Sequence, residues 1–373
     1  METSRSPSGA RKRHALRPGA AGSSQDVEAA TGSLRWKNRP PGANWGAFGE
    51  NDQQGRLNLI SAERRRSAAA EVREGIAFCL SLPLDRPGGN AFNRGRAPAF
   101  HPVMRDGHVY FNLAMECVDP SRTDVGSDEA VLLHAQHSTH WEGLAYRGAL
   151  FDADGDGTPE RVFYNGHRIV DPATGQGRQG ALGATALSVD KMAETCVQGR
   201  GVMVDLHHHL GDARVAVGYD RLRRIMDADH VVVEEGDMLC LRTGLGRLVM
   251  RADGSPDASL RNACAVLDGN DPLLLRWITS SGVAAIATDN LSIESLPASD
   301  AKLLAPGLRA PGPAQPLHEH CLFKLGIPIG ELWYFAELAP WLREHGRSRF
   351  MLTAPPLRLP GASGAAVTPV ATV

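Results

Sequence analysis

Six short apolar runs, bounded by Gly, Pro or Asp, punctuate the chain: FCLSLPLD (78–85), AVLLHAQHSTHWE (130–142), GVMVDLH (201–207), DMLCLRTG (237–244), VAAIATD (283–289) and RFMLTAPPLRL (349–359). Their length and β-branched content predict strands. Between them apolar residues recur at helical spacing. Leu222, Ile225 and Met226 mark one face of a helix over 219–229, and Ser188 stands where it would cap VDKMAETCVQG. Asp271 and Pro272 read as the N-cap and first position of a helix through DPLLLRWITSSG, where the missing proline N–H costs nothing. PLHEHCLFKLG ends on Gly326, a natural helix stop. Strands interleaved with helices and joined by long irregular connections predict one mixed α/β (α+β) domain over 36–373. Residues 1–35, rich in Ser, Gly, Ala and Arg with RKRH at 11–14, read as a disordered basic tail without the apolar stretch of a secretory signal.

Composition narrows the function classes. A formal charge of -2 gives no reason to expect nucleic acid or an anionic membrane as partner. No run approaches the ~18 apolar residues of a membrane span. Six cysteines without a CxxC pair suit buried apolar thiols in a reducing, cytoplasmic compartment rather than a disulfide frame.

The chemistry concentrates in HAQHSTHWEGLAY (134–146). On a strand, Gln136, Ser138, His140 and Glu142 share one face, and His137, Thr139 and Trp141 the other. Tyr146 keeps the parity of His140 and Glu142. An imidazole and a carboxylate two residues apart lie only ~7 Å apart along the backbone, so both reach one cation. Such ligands with waters suit zinc or manganese, and a divalent ion there would activate water for hydrolysis. A polar strand edge whose histidines only hydrogen-bond satisfies the same pattern. Elsewhere, His207, His208 and His209 read as a loop at a strand end. Asp205 and Asp289 read as structural or supporting residues. DADGDGTPE (152–160) imitates a calcium loop, but Phe163 stands where the bidentate Glu belongs, so an Asp/Gly turn accounts for it.

The stretch resembles the metal motif H-x-G-T-H-x-D-x-P-x-H of the cyclase family that includes kynurenine formamidase and isatin hydrolase. Gln136 takes the first His position, Ser138 the Gly, His140 the second His, Glu142 the Asp, Leu144 the Pro and Tyr146 the last His. A longer-chain branch reads Q-H-G-T-H-W-D-x-L-x-H, which accounts for Gln136, His137, Trp141 and Leu144 but not for Glu142 or Tyr146. NWGAFGENDQQGRLNLI (44–60), FYNGHRI (163–169), GRGVMVDLHHH (199–209), GDMLCLRTG (236–244), GVAAIATDN (282–290), PLHEHCLFKLGIPIGELWYFAEL (316–338) and the C-terminal block 353–371 are similar to successive family blocks, in order, over nearly all of 40–373.

The resemblance implies a swivelling β/β/α-type single domain and a small-molecule substrate. It implies a divalent metal, Zn or Mn, one ion rather than two, held by His140 and Glu142 with Gln136. The family's distal His and Glu match His318 and Glu331, as ligand or acid–base residues, and Tyr146 replaces the proton-shuttling imidazole. Trp45, His101, His137 and Trp141 are the expected pocket residues, and a homodimer or homotetramer is the implied assembly. Hydrolysis of a C–N bond in an amide, arylformamide or lactam is the leading function. A cyclase or lyase acting on a polyketide-type metabolite, and a non-catalytic binding protein, are the alternatives.

Overall fold

A computed structural model describes residues 35–88, 96, 98–171, 173–180, 182–295 and 313–373. The 1–35 tail lies outside these except for its last residue. Arg35–Val373 forms one unit.

Nine strands among the described residues build one sheet: β1 (Ala77–Cys79), β2 (His140–Glu142), β3 (Gln198–Asp205), β4 (Met238–Arg242), β5 (Ala285–Thr288), β6 (Ile329–Glu331), β7 (Arg349–Thr353), β8 (Gly364–Ala366) and β9 (Val370–Thr372), in the spatial order β1-β9-β7-β3-β4-β5-β6-β2-β8. The centre, β3 to β6, is parallel, and both flanks are antiparallel. A parallel centre is covered on both faces, which is why β4 and β5 are apolar up to their last residues, Arg242 and Thr288, and are buried throughout.

Alternate residues feed two cores. Val202, Val204, Leu239, Leu241, Ile286 and Ile329 pack beneath helices α1 (Tyr219–Ala228) and α2 (Pro272–Ser281) and beneath α3 (Pro316–His318), which continues as a π-helix over Glu319–Leu325. Met203, Met238, Cys240, Trp141 and Phe350 pack on the opposite face with α4 (Leu338–Glu344). The caps work as the sequence suggests at α2, where the Asp271 side chain accepts from Leu273 N at 2.8 Å, and at Gly326, which ends the π-helix at φ 64°. Ser188 precedes a helix over Val189–Glu194 without a side-chain capping bond. All six cysteines are unpaired; Cys240, Cys264 and Cys321 are buried, whereas Cys79, Cys117 and Cys196 are exposed.

The expected 130–142 strand is two strands. Glu129–Leu132 pairs with Ala99–Pro102 in a separate ribbon, and the chain then turns before entering β2. Ser138 makes that turn at φ 57°. The turn is fixed from outside: Ser138 Oγ donates to Pro83 O at 3.1 Å, and Thr139 Oγ1 donates to Leu332 O at 2.5 Å while accepting from Leu82 N. Strand parity therefore holds only from His140 to Glu142. The run after Asp205 is a short helix, Leu206–Leu210, rather than a loop.

Candidate active site

Pairing of β2 with β6 assembles the site. His140 lies directly opposite Glu331, and Glu142 opposite Ile329, so His140, Glu142 and Glu331 project from the same face. His318 reaches them from the end of α3. All four are buried. His140 Nε2 is 4.0 Å from Glu331 Oε2, while His318 Nε2 is 3.3 Å from Glu142 Oε2 and 3.5 Å from Glu331 Oε1.

Hydrogen bonds set the tautomers. His140 Nδ1 lies 2.9 Å from the Ser138 carbonyl, which can only accept, so the proton is on Nδ1 and Nε2 presents a lone pair to the site. Burial holds this imidazole below its ordinary pKa against the pull of Glu331. His318 is oriented by Glu294, whose Oε1 is 2.7 Å from Nδ1. Burial alone would lower the His318 pKa, but the charge of Glu142 and the bonds to Glu142, Glu294 and Glu331 raise it well above the ordinary value. Burial and the neighbouring Glu142 charge raise Glu331. Glu294 in turn accepts from Leu317 N and His318 N, and Glu331 Oε1 accepts from Ile293 N at 2.9 Å.

Glu142 Oε2 is buried, and its one neighbouring donor, His318 Nε2 at 3.3 Å, is not aligned for a hydrogen bond, so its contact there is an ion pair with room for a further partner. Ligand atoms of His140, Glu142 and Glu331 lie within 4.8 Å of one another. An imidazole lone pair and two carboxylates at that spacing fit a divalent cation that keeps open positions for water or substrate. Glu331 thus joins the candidate ligand set, with His318 beside it.

A cavity of about 330 Å³ opens onto this cluster, lined also by Gln136, Tyr146, Arg96, Arg261, Leu291, Ser292, Gln315 and Leu332. Gln136 enters from the turn before β2 and Tyr146 from the turn after it, where its N–H bonds the Gly143 carbonyl. Tyr146 therefore reaches the cavity without the strand parity expected of it. Its ring centroid is 6.5 Å from that of His318, and burial with the Glu142 charge raises its pKa.

The four expected pocket residues lie elsewhere. Trp141 points to the opposite face of β2, packing edge-on against Trp333 and donating Nε1–H to Ala354 O at 2.8 Å. Trp45 is a core residue among Trp36, Phe151 and Phe323, its Nε1–H bonded to Phe323 O. Both indoles gain more from an apolar core with one buried carbonyl than from a polar cavity. His137 is buried in the turn and does not line the cavity. His101 lies exposed on the separate ribbon, beside Phe100 and Phe111. None of His207, His208 and His209 lines the cavity; His207 and His209 bond Asp212 and Asp229. Asp205 pairs with Arg242 and Arg343, and Asp289 accepts from Thr243 and Gly244, both structural duties. Asp152 accepts from Gly155, Asp156 and Gly157 N–H groups, the expected Asp/Gly turn.

A sequence profile of the family described as "Putative cyclase" matches residues 80–295. The chain belongs to the cyclase family. Among solved structures, a novel cyclase superposes with a TM-score of 0.69 at 27% identity, over 90% of this chain and 100% of that one. An isatin hydrolase bound to the product analogue thioisatinate superposes with a TM-score of 0.51 at 11% identity, over 84% and 99% of the two chains. No curated protein matches the sequence. The cyclase-family fold expected from the blocks along the chain is the fold observed.

Glu294, Arg96, Arg261, Ser292 and Gln315 escaped the sequence reading. The one available signal was an acid inside LSIESL, directly after a buried strand.

Proposed function

We propose that this cyclase-family protein is a metal-dependent hydrolase that cleaves a C–N bond in a small amide, arylformamide or lactam. The observation that carries the reading is the buried His140–Glu142–Glu331 set, whose ligand atoms lie within 4.8 Å of one another, with His318 Nε2 3.3 Å from Glu142 Oε2. Zn²⁺ or Mn²⁺ bound by these three residues would supply Lewis acidity, activating water and polarising the substrate carbonyl. His318 presents Nε2–H at the same point and is the donor for the departing nitrogen, while Glu294 fixes its ring. The Tyr146 hydroxyl, kept protonated by burial, donates to the substrate carbonyl oxygen. Gln136 positions substrate or completes the ligand set. Assembly as a homodimer or homotetramer belongs to the same proposal.

A cyclase or lyase acting on a polyketide-type intermediate is the second reading, favoured by Tyr146. A phenol of raised pKa holds its proton, so it suits binding a carbonyl better than shuttling protons as the family imidazole does. Elemental analysis tests the centre: wild type is expected to carry Zn or Mn, and His140→Ala and Glu142→Ala to lose it. Full metal content in both variants would refute the assignment. Release of formate from aryl formamides favours hydrolysis; an isomeric or cyclised product without formate favours the second reading.

A further inference from the structure

The cavity also holds cationic groups that hydrolysis of a neutral amide leaves without a task. Arg96 and Arg261 both line it and both are exposed, which places them on its open side. Among the described residues neither guanidinium makes a hydrogen bond or ion pair. Some arginines of this chain are matched, as Arg200 is with Asp237 and Arg242 with Asp205, and exposed ones such as Arg221 and Arg224 are not; what sets Arg96 and Arg261 apart is that both line the cavity. Two like charges brought to one small cavity repel unless an anion lies between them. Arg96 is near enough for its field to act on His140.

Ser292 gives an independent indication. It lines the same cavity, is 3% exposed, and its Oγ is buried without a hydrogen-bond partner. A buried hydroxyl left unmatched in the protein is matched by water or by a ligand atom, and here it is open to the cavity's occupant. Leu291 and Leu332 add apolar wall. The volume, about 330 Å³, lies at the small end of ligand pockets.

We propose that the substrate is an anion: a small amide bearing a carboxylate, which Arg96 and Arg261 bind while the amide lies at the His140–Glu142–Glu331 centre and Ser292 hydrogen-bonds the ligand. The amide half of this statement rests on the hydrolase reading; recognition of the carboxylate does not. A guanidinium fork matches carboxylate and phosphate alike. The small volume of the cavity, about 330 Å³, favours the planar carboxylate over the bulkier tetrahedral phosphate, so a carboxylate is the choice.

The test uses matched probes, 2-acetamidobenzoate and acetanilide, which differ by the carboxylate. Calorimetric titration of the protein as purified, and of Arg96→Gln, Arg261→Gln and the double variant, reads the affinity ratio. Wild type should favour the anion about tenfold or more, each single variant should lose most of that ratio, and the double variant should abolish it. Arg96→Lys should retain part of it. A wild type without preference, or a preference that survives in the double variant, overturns the proposal; the latter assigns the carboxylate to the metal centre. Inorganic phosphate competing more strongly than benzoate would overturn the choice of carboxylate. In parallel, 2-formamidobenzoate and formanilide are assayed for formate release. If neither is cleaved while the arginine-dependent preference persists, the hydrolase reading fails and the anion site stands.

Discussion

Gly269 controls the site from beneath, and replacing it by alanine should expose that control. A Cβ there would fall 2.1 Å from Glu294 Oε2 and 3.0 Å from Leu317 N. Gly269 does not occupy the left-handed region, so the cost of alanine comes from these contacts, the Glu294 carboxylate foremost and the Leu317 backbone second. To reach van der Waals distance the carboxylate must move by more than about 1 Å. It now holds Leu317 N at 3.0 Å, His318 N at 2.8 Å and His318 Nδ1 at 2.7 Å. Losing two of these three charge-assisted bonds in a buried setting costs about 3–5 kcal/mol, a large share of a typical fold's stability. His318 would lose the partner that orients it, so turnover should fall together with stability. Urea denaturation measures the first effect, and a cycle with Glu294→Ala isolates the mechanism. In the Glu294→Ala background the same Gly269→Ala change should cost clearly less, about 1 kcal/mol, because only the 3.0 Å contact with Leu317 N remains. A cost within about 0.5 kcal/mol of zero in wild type, or an equal cost in both backgrounds, would refute the reasoning.

Acid should destabilise the protein before its carboxylates titrate. Burial lowers both His167 and His320 from 6.5 to about 4. The unfolded chain takes these protons near 6.5 and the folded chain only near 4, so stability is complete above the first value and declines as pH falls toward the second, by up to about 3 kcal/mol per histidine. Urea midpoints should drop between about pH 7 and 4.5, and His320→Asn should flatten the slope; a flat wild-type profile contradicts this. Trp141→Phe should cost about 2–3 kcal/mol by leaving the Ala354 carbonyl unmatched and a void beside Trp333, with metal content retained. Loss of metal without loss of stability would return Trp141 to the site. Tyr146→Phe should lower kcat about a hundredfold with little change in metal content, and an unchanged kcat would remove the hydroxyl from the mechanism.

What the sequence revealed depended on how local the causes were. The strands β3, β4 and β5 and the helix behind Asp271–Pro272 are legible because burial on both faces and a cap leave direct marks on composition. The turn at Ser138 left none, since residues 83 and 332 fix it, and its positive φ falls on a serine. His140 and Glu142 were nevertheless paired correctly, because the three residues of β2 obey alternation by themselves. The same alternation sends Trp141 away from the cavity, and it was the family block rather than geometry that suggested otherwise. Glu331 as a partner of His140 requires strand pairing across 191 positions, which no local pattern encodes. Glu294 and Ser292 sit in an irregular segment where burial comes wholly from tertiary contacts.

The pairing of β2 with β6 has a consequence for how such a protein can change. His140 faces Glu331 and Trp141 faces Gly330, where any side chain would strike the Trp333 indole. A slip of one residue would drive the indole into the cavity and the imidazole into the hydrophobic layer, so a mispaired sheet would ruin both at once. Correct pairing makes the chemistry independent of the scaffold. Residues 140 and 142 answer to the ligand, and residue 141 answers to the core. A lineage can therefore exchange an aspartate for a glutamate at position 142 without renegotiating the packing that keeps the protein folded.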